Sequence, residues 1–290
     1  MNTKQNHMAA IAYILTASAI FAAISLLAKM LGQDTLGPAL HPMQISHGRF
    51  LFAFLALIMA ATYLRPQFKN IHYKLHIGRS FCGWAGATLL FAAVAFIPLT
   101  DATAISFLNP VFAMMLAIPL LGERVGRVRW SAAVLALIGA LVLLRPTPDS
   151  FQPAAMLALF AAIMMGVEAN LIKMLTRREN PLQILLVNNA IGLVIASVPL
   201  FFIWQTPTAT QWAALATLGA IMAVGQAFFI QALRRADASF VVPFAYSTLI
   251  FATFYDYIVF SAIPDTTSII GGTIIIIGAV TLAWRETRLR

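Results

Sequence analysis

Apolar runs of about 20 residues recur along the whole chain and alternate with short polar connections that carry glycine, proline and charged residues. An α-helix rises about 1.5 Å per residue, so each run is long enough to cross the roughly 30 Å hydrocarbon layer of a bilayer. The pattern predicts an all-α membrane protein with ten transmembrane helices. They lie near residues 9–31, 44–64, 79–98, 102–121, 128–145, 152–175, 182–204, 210–232, 239–261 and 267–285.

Composition agrees with this interpretation. Hydrophobic residues make up 61% of the 290 residues and charged residues 10%, whereas a soluble domain has about 25% charged residues. The first apolar run is too long for the hydrophobic region of a signal peptide, so we expect none. Cys82 is the single cysteine, which excludes an intramolecular disulfide.

The placement of lysine and arginine predicts the orientation. Sixteen of these residues, including Arg79, fall on one side of the predicted helices, and only Lys29 and Arg145 fall on the other. Basic residues accumulate on the cytoplasmic side of membrane proteins, so both termini are expected in the cytoplasm. The net charge of +9 therefore reflects topology, and no nucleic-acid partner is expected.

The chain also carries a weak internal repeat. An ungapped offset of 139 residues pairs Gly139 with Gly278, Ile138 with Ile277 and Ala104 with Pro243. Because five spans per half is an odd number, the two halves must face opposite ways across the membrane. Inverted repeats of this kind recur in transporters, with the binding site near the midplane between them. The predicted domains are residues 1–146 and 147–290, each one five-helix repeat.

Two stretches carry a resemblance to a known family. The run LTDATAISFLNPVFAMMLAIPLLGERVGRVRWSAAVLALIGALVLLRP resembles the first-half signature of the EamA-type drug/metabolite transporters, and ADASFVVPFAYSTLIFATFYDYIVFSAIPD is similar to its second-half counterpart. The pattern from Arg79 to Phe107 is most similar to the branch that contains riboflavin and S-adenosylmethionine transporters. The second half departs from the family at Ser261-Ala262, where Gly-Glu is usual, and at Asp256, where glycine is common.

The resemblance implies a secondary transporter of a small organic metabolite in a bacterial-type inner membrane. Riboflavin uptake is the first expectation, S-adenosylmethionine the second, and an amino-acid or amine exporter is an alternative. Protons are a candidate coupling ion, a homodimer stays open, and no cofactor is expected. The sequence carries no P-loop, which argues against direct coupling to ATP.

A membrane-embedded enzyme is the alternative from a different class. The sequence has no G-x-S-x-G or H-E-x-x-H motif. His72 and His76 have the i, i+4 spacing of metal ligands, but no third ligand is evident from the sequence. We therefore expect neither an enzyme nor a metal site.

Six residues on different spans are candidates for the substrate site. Two aromatic residues offer stacking faces, three polar residues offer hydrogen bonds, and one carboxylate lies deep in the sixth span. A site for a planar heterocycle needs both stacking area and polar groups that orient the ligand. The carboxylate is expected to recognise a cation or to carry a proton, because intramembrane acids are costly unless they face protein or water. The candidates are Trp84, Ser106, Asn109, Glu168, Gln226 and Tyr246.

Structural alternatives stay open for these residues. Buried hydroxyls and amides also join helices, and Glu168 can reach the interface or pair with Lys173 one turn later. Pro110 removes the helical hydrogen bond to the Ser106 carbonyl, which leaves that oxygen free to meet solute or water.

Three further charged residues have two interpretations each. Arg49 either reaches the outer surface or faces the bundle and binds an anionic group. Glu123 either stabilises the N-terminus of the next helix or acts as a gate. Asp256 lies between Tyr255 and Tyr257, which favours an interfacial position over the cavity.

Overall fold

A computed structural model describes residues 6–66, 68, 71–94, 96–97, 99–146, 153, 155–261 and 263–288. Within these ranges the secondary structure is helical, with no β-strand. The all-α class with two inverted five-helix repeats is confirmed. Among the positions used above, Ala262 lies outside the described residues, as do residue 98, at which the third span was predicted to end, and residue 152, at which the sixth was predicted to begin.

The described chain contains thirteen α-helices and one 3-10 helix, because several spans are interrupted. The α-helices are α1 (His7–Gly32), α2 (Pro42–Leu64), α3 (Tyr73–Val94), α4 (Leu99–Ser106), α5 (Asn109–Leu121), α6 (Arg127–Leu144), α7 (Ala155–Thr176), α8 (Pro181–Ser197), α9 (Leu200–Ile203), α10 (Ala209–Arg235), α11 (Ala238–Val241), α12 (Ser247–Phe260) and α13 (Thr266–Arg288). The 3-10 helix, Val242–Tyr246, joins α11 to α12.

Eight segments among the described residues are long and apolar enough to cross a membrane. The remaining two spans are α3, which is 22 residues long but carries polar and charged residues, and α8, which has 17 residues. Both helices line the same cavity, described below. The less apolar helix, α3, and the shorter helix, α8, are therefore found where the bundle encloses a polar space.

The fourth and ninth spans are both broken, and the breaks are equivalent. The fourth span is interrupted between α4 and α5, just before Pro110, and the ninth passes through the 3-10 helix around Pro243. The repeat offset pairs Phe107 with Tyr246, one at each break. Their rings stack with centroids 5.8 Å apart, and the Tyr246 hydroxyl donates to the Phe107 carbonyl at 2.7 Å. The two breaks therefore meet at the contact between the halves.

Close contacts between α6 and α13 repeat the same symmetry. A Cβ added to Gly139 would lie 2.7 Å from the Gly271 carbonyl oxygen, and one added to Gly278 would lie 3.2 Å from that of Ala132. The repeat offset that pairs Gly139 with Gly278 also pairs Ala132 with Gly271. Each contact is thus the counterpart of the other, as expected when two helices cross at a pseudo-two-fold axis.

Helices pair mainly across the halves. The first span, α1, packs on α10, and its counterpart α7 packs on α3, while α2 packs on α8. The basic end of the bundle is the one at which α1 begins and α10 ends, where the Asn6 amide donates to the Arg235 carbonyl. At the opposite end, the Gln44 side chain binds the Gln205 backbone. Successive spans alternate between these two ends.

Candidate functional site

A cavity of about 340 Å³ lies between α2, α3, α7, α8 and α10. We call it the charged cavity, because Arg49 and Glu168 line it. Its wall extends to Met43 near the start of α2 and to Pro199 beyond the end of α8, so it reaches toward the opposite end of the bundle. Its size is within the range of about 300–1,000 Å³ typical of small-molecule sites.

Two arginines surround the carboxylate of Glu168. The Arg79 Nε lies 3.8 Å from Glu168 Oε1, and both Arg49 and Arg79 attract this carboxylate electrostatically. The Arg79 side chain is 2% exposed, and its Nε has no hydrogen-bond partner among the described residues. Arg79 does not itself line the charged cavity, so its charge acts on the site through Glu168.

The polypeptide leaves room for this carboxylate. A Cβ added to Gly83 on α3 would lie 3.0 Å from the carboxyl atoms of Glu168. Gly83 lies one turn after Arg79, so the same helix supplies the cation and the space beside it. The Arg49 guanidinium stacks over the Phe50 ring at 4.1 Å from the centroid, which supports it on the other side of the cavity.

The structure brings three of the six predicted site residues together. Trp84, Glu168 and Gln226 line the charged cavity, where Trp84 is 50% exposed and Gln226 Oε1 accepts a hydrogen bond from Asn189. Asn188 adds a second amide to the wall, and its Oδ1 lies 3.3 Å from the Ser80 hydroxyl.

The other three predicted residues lie elsewhere, at the breaks in the fourth and ninth spans. Ser106 and Tyr246 are buried, and neither they nor Asn109 line the charged cavity. The Asn109 amide donates to the Ser106 carbonyl at 2.9 Å, so the oxygen released by Pro110 is paired within the chain. A role for these three residues in binding stays a prediction.

The sequence does not predict the position of Arg79. The third span was expected to begin at residue 79, which placed this arginine on the surface. In the structure α3 begins at Tyr73, and Arg79 lies in its second turn, buried.

The expected alternative pairing of Glu168 with Lys173 is wrong. The Lys173 ammonium donates instead to the carbonyls of Leu233 and Ala236, at the C-terminal end of α10. Cations are favoured there, because the last carbonyls of a helix lack intrahelical partners and carry a partial negative charge.

Glu123 caps a helix, but not the one expected. Its two carboxylate oxygens accept the backbone amides of Ala238 at 2.8 Å and Ser239 at 2.9 Å, at the N-terminus of α11 in the other half. Arg129 beside it donates to Asp237 at 3.1 Å and to the Ser239 hydroxyl at 2.7 Å. This buried network joins the halves at the basic end.

The ion pairs at the opposite end are more exposed. Lys29 and Asp256 lie 3.1 Å apart, with side chains 43% and 42% exposed. Arg145 pairs with Asp265, and both are about half exposed. The hydrogen bond from Arg145 lowers the pKa of the Asp265 carboxyl. Exposed pairs contribute little to stability, so the halves are held together more firmly at the basic end.

His72 and His76 bind a carboxylate. Ring nitrogens of His72 and His76 lie 3.1 and 2.9 Å from the two oxygens of Glu179, and the Gln183 amide donates to one of them at 2.8 Å. Burial alone would raise the pKa of Glu179, but the hydrogen bonds from His76 and from the amide and ring of His72 lower it. In the described part of the chain, no group of three or more histidine, cysteine, aspartate or glutamate side chains is arranged to hold a metal ion.

Comparison with known proteins gives three named relatives of similar length. The chain is 28% identical over 255 residues to an S-adenosylmethionine uptake transporter of Rickettsia prowazekii, covering 87% of this chain and 86% of the relative. It is 28% identical over 245 residues to a riboflavin transporter of Vibrio cholerae, covering 81% of each. It is 26% identical over 195 residues to a pseudopaline exporter of Pseudomonas aeruginosa, covering 67% and 69%.

The fold also matches a solved crystal structure. The TM-score is 0.78 at 18% identity, covering 94% of this chain and 97% of the other. The model of the EamA-like transporter family matches twice, at residues 8–145 and 152–284. With both halves matched, the chain belongs to the EamA-like transporter family, whose named relatives here carry small metabolites.

Proposed function

We propose that this protein is a secondary transporter that takes up a heterocyclic metabolite bearing both an anionic and a cationic group, with S-adenosylmethionine as the leading substrate. The observation that carries the proposal is the charged cavity, which Arg49, Glu168 and Trp84 line, with Arg79 buried 3.8 Å from Glu168. Drug-sized sites typically combine apolar or aromatic walls with a few placed polar groups, as this one does.

The charges favour an amphoteric substrate over a neutral one. An α-amino acid group presents a carboxylate and an ammonium a few ångströms apart. The carboxylate would be bound by Arg49, and the cationic groups by Glu168, both of which line the cavity. The adenine ring would stack on Trp84, which offers half of its surface.

Riboflavin is the second candidate. Its ring system is also planar, and its uncharged ribityl chain would need the hydroxyl and amide groups of the cavity wall. Ser46, Asn188 and Gln226 provide these groups. A neutral solute, however, would leave the buried charges of the cavity without new partners.

The position of the cavity supports uptake once the predicted orientation is adopted. The cavity extends toward the opposite end, and the buried network of Glu123 and Arg129 closes the basic end. If the basic end is cytoplasmic, the cavity faces the outside. Transport then requires that this network opens while the outer half of the cavity closes.

Purified protein in liposomes tests the proposal. We expect accumulation of labelled S-adenosylmethionine that excess unlabelled substrate abolishes, with slower or no accumulation of labelled riboflavin. A Glu168→Gln variant keeps the shape of the side chain and should lose preference for the cationic substrate. The same assay with and without an imposed pH gradient tests proton coupling.

Empty liposomes and liposomes with a Trp204→Ala variant serve as controls, because Trp204 does not line the charged cavity. Faster transport of riboflavin than of S-adenosylmethionine would reverse the order of the two substrates. Absence of flux for both, in protein that is folded and correctly inserted, would contradict the proposal.

A further inference from the structure

A second and larger space, about 830 Å³ in volume, lies toward the basic end of the bundle. It is formed between α2 and α10, with the start of α8 as its floor. Alanines dominate its upper wall, among them Ala56, Ala60, Ala223 and Ala227. We call it the alanine groove. Small side chains on both helices leave a trough wide enough for an acyl chain.

The lower rim of the groove is basic. Arg177, Arg178 and Arg234 line it and are exposed. Among the residues that the structure describes, Arg178 and Arg234 have no acidic partner. Glu179 also borders the groove, but its side chain is fully buried and its oxygens bind His72, His76 and Gln183, so it forms no ion pair with Arg178 or Arg234.

The groove opens sideways, on the face of the bundle turned to lipid. Leu64 on α2 is 65% exposed and Val224 on α10 is 48% exposed, and both line it. A water-soluble anion would need only the arginines. The apolar trough that continues into the membrane from the same rim is suited to a molecule with a charged head and a hydrocarbon tail.

We propose that the alanine groove binds an anionic phospholipid. The phosphate lies against Arg178 and Arg234, where guanidinium groups form paired hydrogen bonds with its oxygens, and one acyl chain lies along the alanines of α2 and α10. Basic pockets between transmembrane helices bind anionic headgroups, and Arg178 and Arg234 lie at the ends of α7 and α10, where such headgroups would meet them. The site is separate from the charged cavity.

Native mass spectrometry of the purified protein tests the site, with phosphatidylglycerol or phosphatidylcholine added in equal amounts. We expect one tightly held phosphatidylglycerol and weak retention of phosphatidylcholine. The double variant Arg178→Gln/Arg234→Gln should weaken retention roughly 25-fold, since each arginine near anionic lipid contributes roughly a fivefold factor. The matched control is Arg124→Gln/Arg127→Gln, which removes two exposed arginines at the same end but off the groove.

A second pair of variants tests the trough independently of charge. Ala60→Trp fills the groove and should expel the lipid, whereas Leu55→Trp adds the same side chain on an exposed face of α2 outside it. Equal retention by the two double variants, or by the two tryptophan variants, would overturn the proposal. Displacement of the lipid by inorganic phosphate alone would also overturn it, because the tail would then contribute nothing. Since the readout is lipid binding, its failure leaves the transport proposal untouched.

Discussion

The charged cavity and the alanine groove are counterparts within the repeat, yet they have opposite chemistry. The offset of 139 residues carries much of one lining onto the other. Adding 139 to the number of a cavity residue pairs Met43 with Leu182, Ser46 with Leu185, Trp84 with Ala223 and Thr88 with Ala227. Subtracting 139 pairs Ile195 with Ala56 and Pro199 with Ala60. An inverted repeat thus places one space toward each end of the bundle.

The difference lies in where the charges are. In the charged cavity they are within the bundle, with Arg79 2% exposed against Glu168. In the alanine groove they lie on an exposed rim, as at Arg178 and Arg234. Charges enclosed by helices are costly unless they meet a partner, whereas charges at the boundary remain solvated. The same backbone therefore provides a solute site on one side and a lipid-facing trough on the other.

The largest effect is expected from breaking the charge pair of the cavity. Arg79→Gln removes the neighbour at 3.8 Å and leaves Glu168 beside Arg49. Removing one partner of a buried pair costs about 3–5 kcal/mol, and we expect a smaller loss here because Glu168 is 26% exposed and keeps Arg49. We expect transport in liposomes to fall about a hundredfold and the melting temperature to fall by several degrees.

The double variant Arg79→Gln/Glu168→Gln separates stability from function. It removes both charges, so the melting temperature should recover toward that of the unmodified protein while transport stays low. If the double variant is no more stable than Arg79→Gln alone, the two side chains do not stabilise each other. If Arg79→Gln transports normally, the charged cavity is not the solute site.

An intermediate effect is expected when the cavity is made to resemble the groove at one position. Trp84→Ala installs the residue found at the counterpart position, Ala223, and removes the stacking surface. Substrate binding, measured by isothermal titration calorimetry, should weaken about two- to tenfold, from the loss of a ring contact worth about 0.5–1.5 kcal/mol. Trp204→Ala, outside the cavity, should bind normally, and equal losses in the two variants would contradict a stacking role.

The smallest effect concerns the floor of the groove. The pKa of Glu179 is lowered, so its ionised form stabilises the fold above the unfolded-state value of 4.5, and this contribution is lost as the pH falls through the folded-state pKa. We expect the melting temperature to decline in acid, and Glu179→Gln to decline less, by a difference of a few degrees at most. Asp256→Asn, at an exposed pair, is the control. Parallel curves for the unmodified protein and Glu179→Gln would show that Glu179 contributes nothing to acid sensitivity.

The ten spans could be predicted because hydropathy depends on local composition. Hydropathy also misplaced Arg79. Its charge lowers the mean hydropathy of the surrounding residues, so the third span was predicted to begin at Arg79, six residues after the observed start of α3. The partnership of Arg79 with Glu168 joins two helices far apart in sequence. Helical periodicity within either segment contains no information about that contact.

The polar residues at the breaks illustrate a different limit. Ser106, Asn109 and Tyr246 carry the groups that a solute site needs, but the same groups are needed to pair backbone carbonyls where a helix is interrupted. The sequence shows that a side chain can donate a hydrogen bond, but it does not show whether the acceptor is a solute or a backbone carbonyl. Trp84, Glu168 and Gln226 had no break nearby to occupy them, and these three line the cavity.

The pairing of helices across the halves has a consequence for biogenesis. α1 buries one face against α10, and α6 buries its glycine face against α13. When the first five spans have entered the bilayer, these faces still lack their partners, because the chain that will cover them has yet to be synthesised. Insertion can proceed span by span, but the native packing of even the earliest helix waits for the second half, which makes assembly within the membrane the late step in the maturation of this protein.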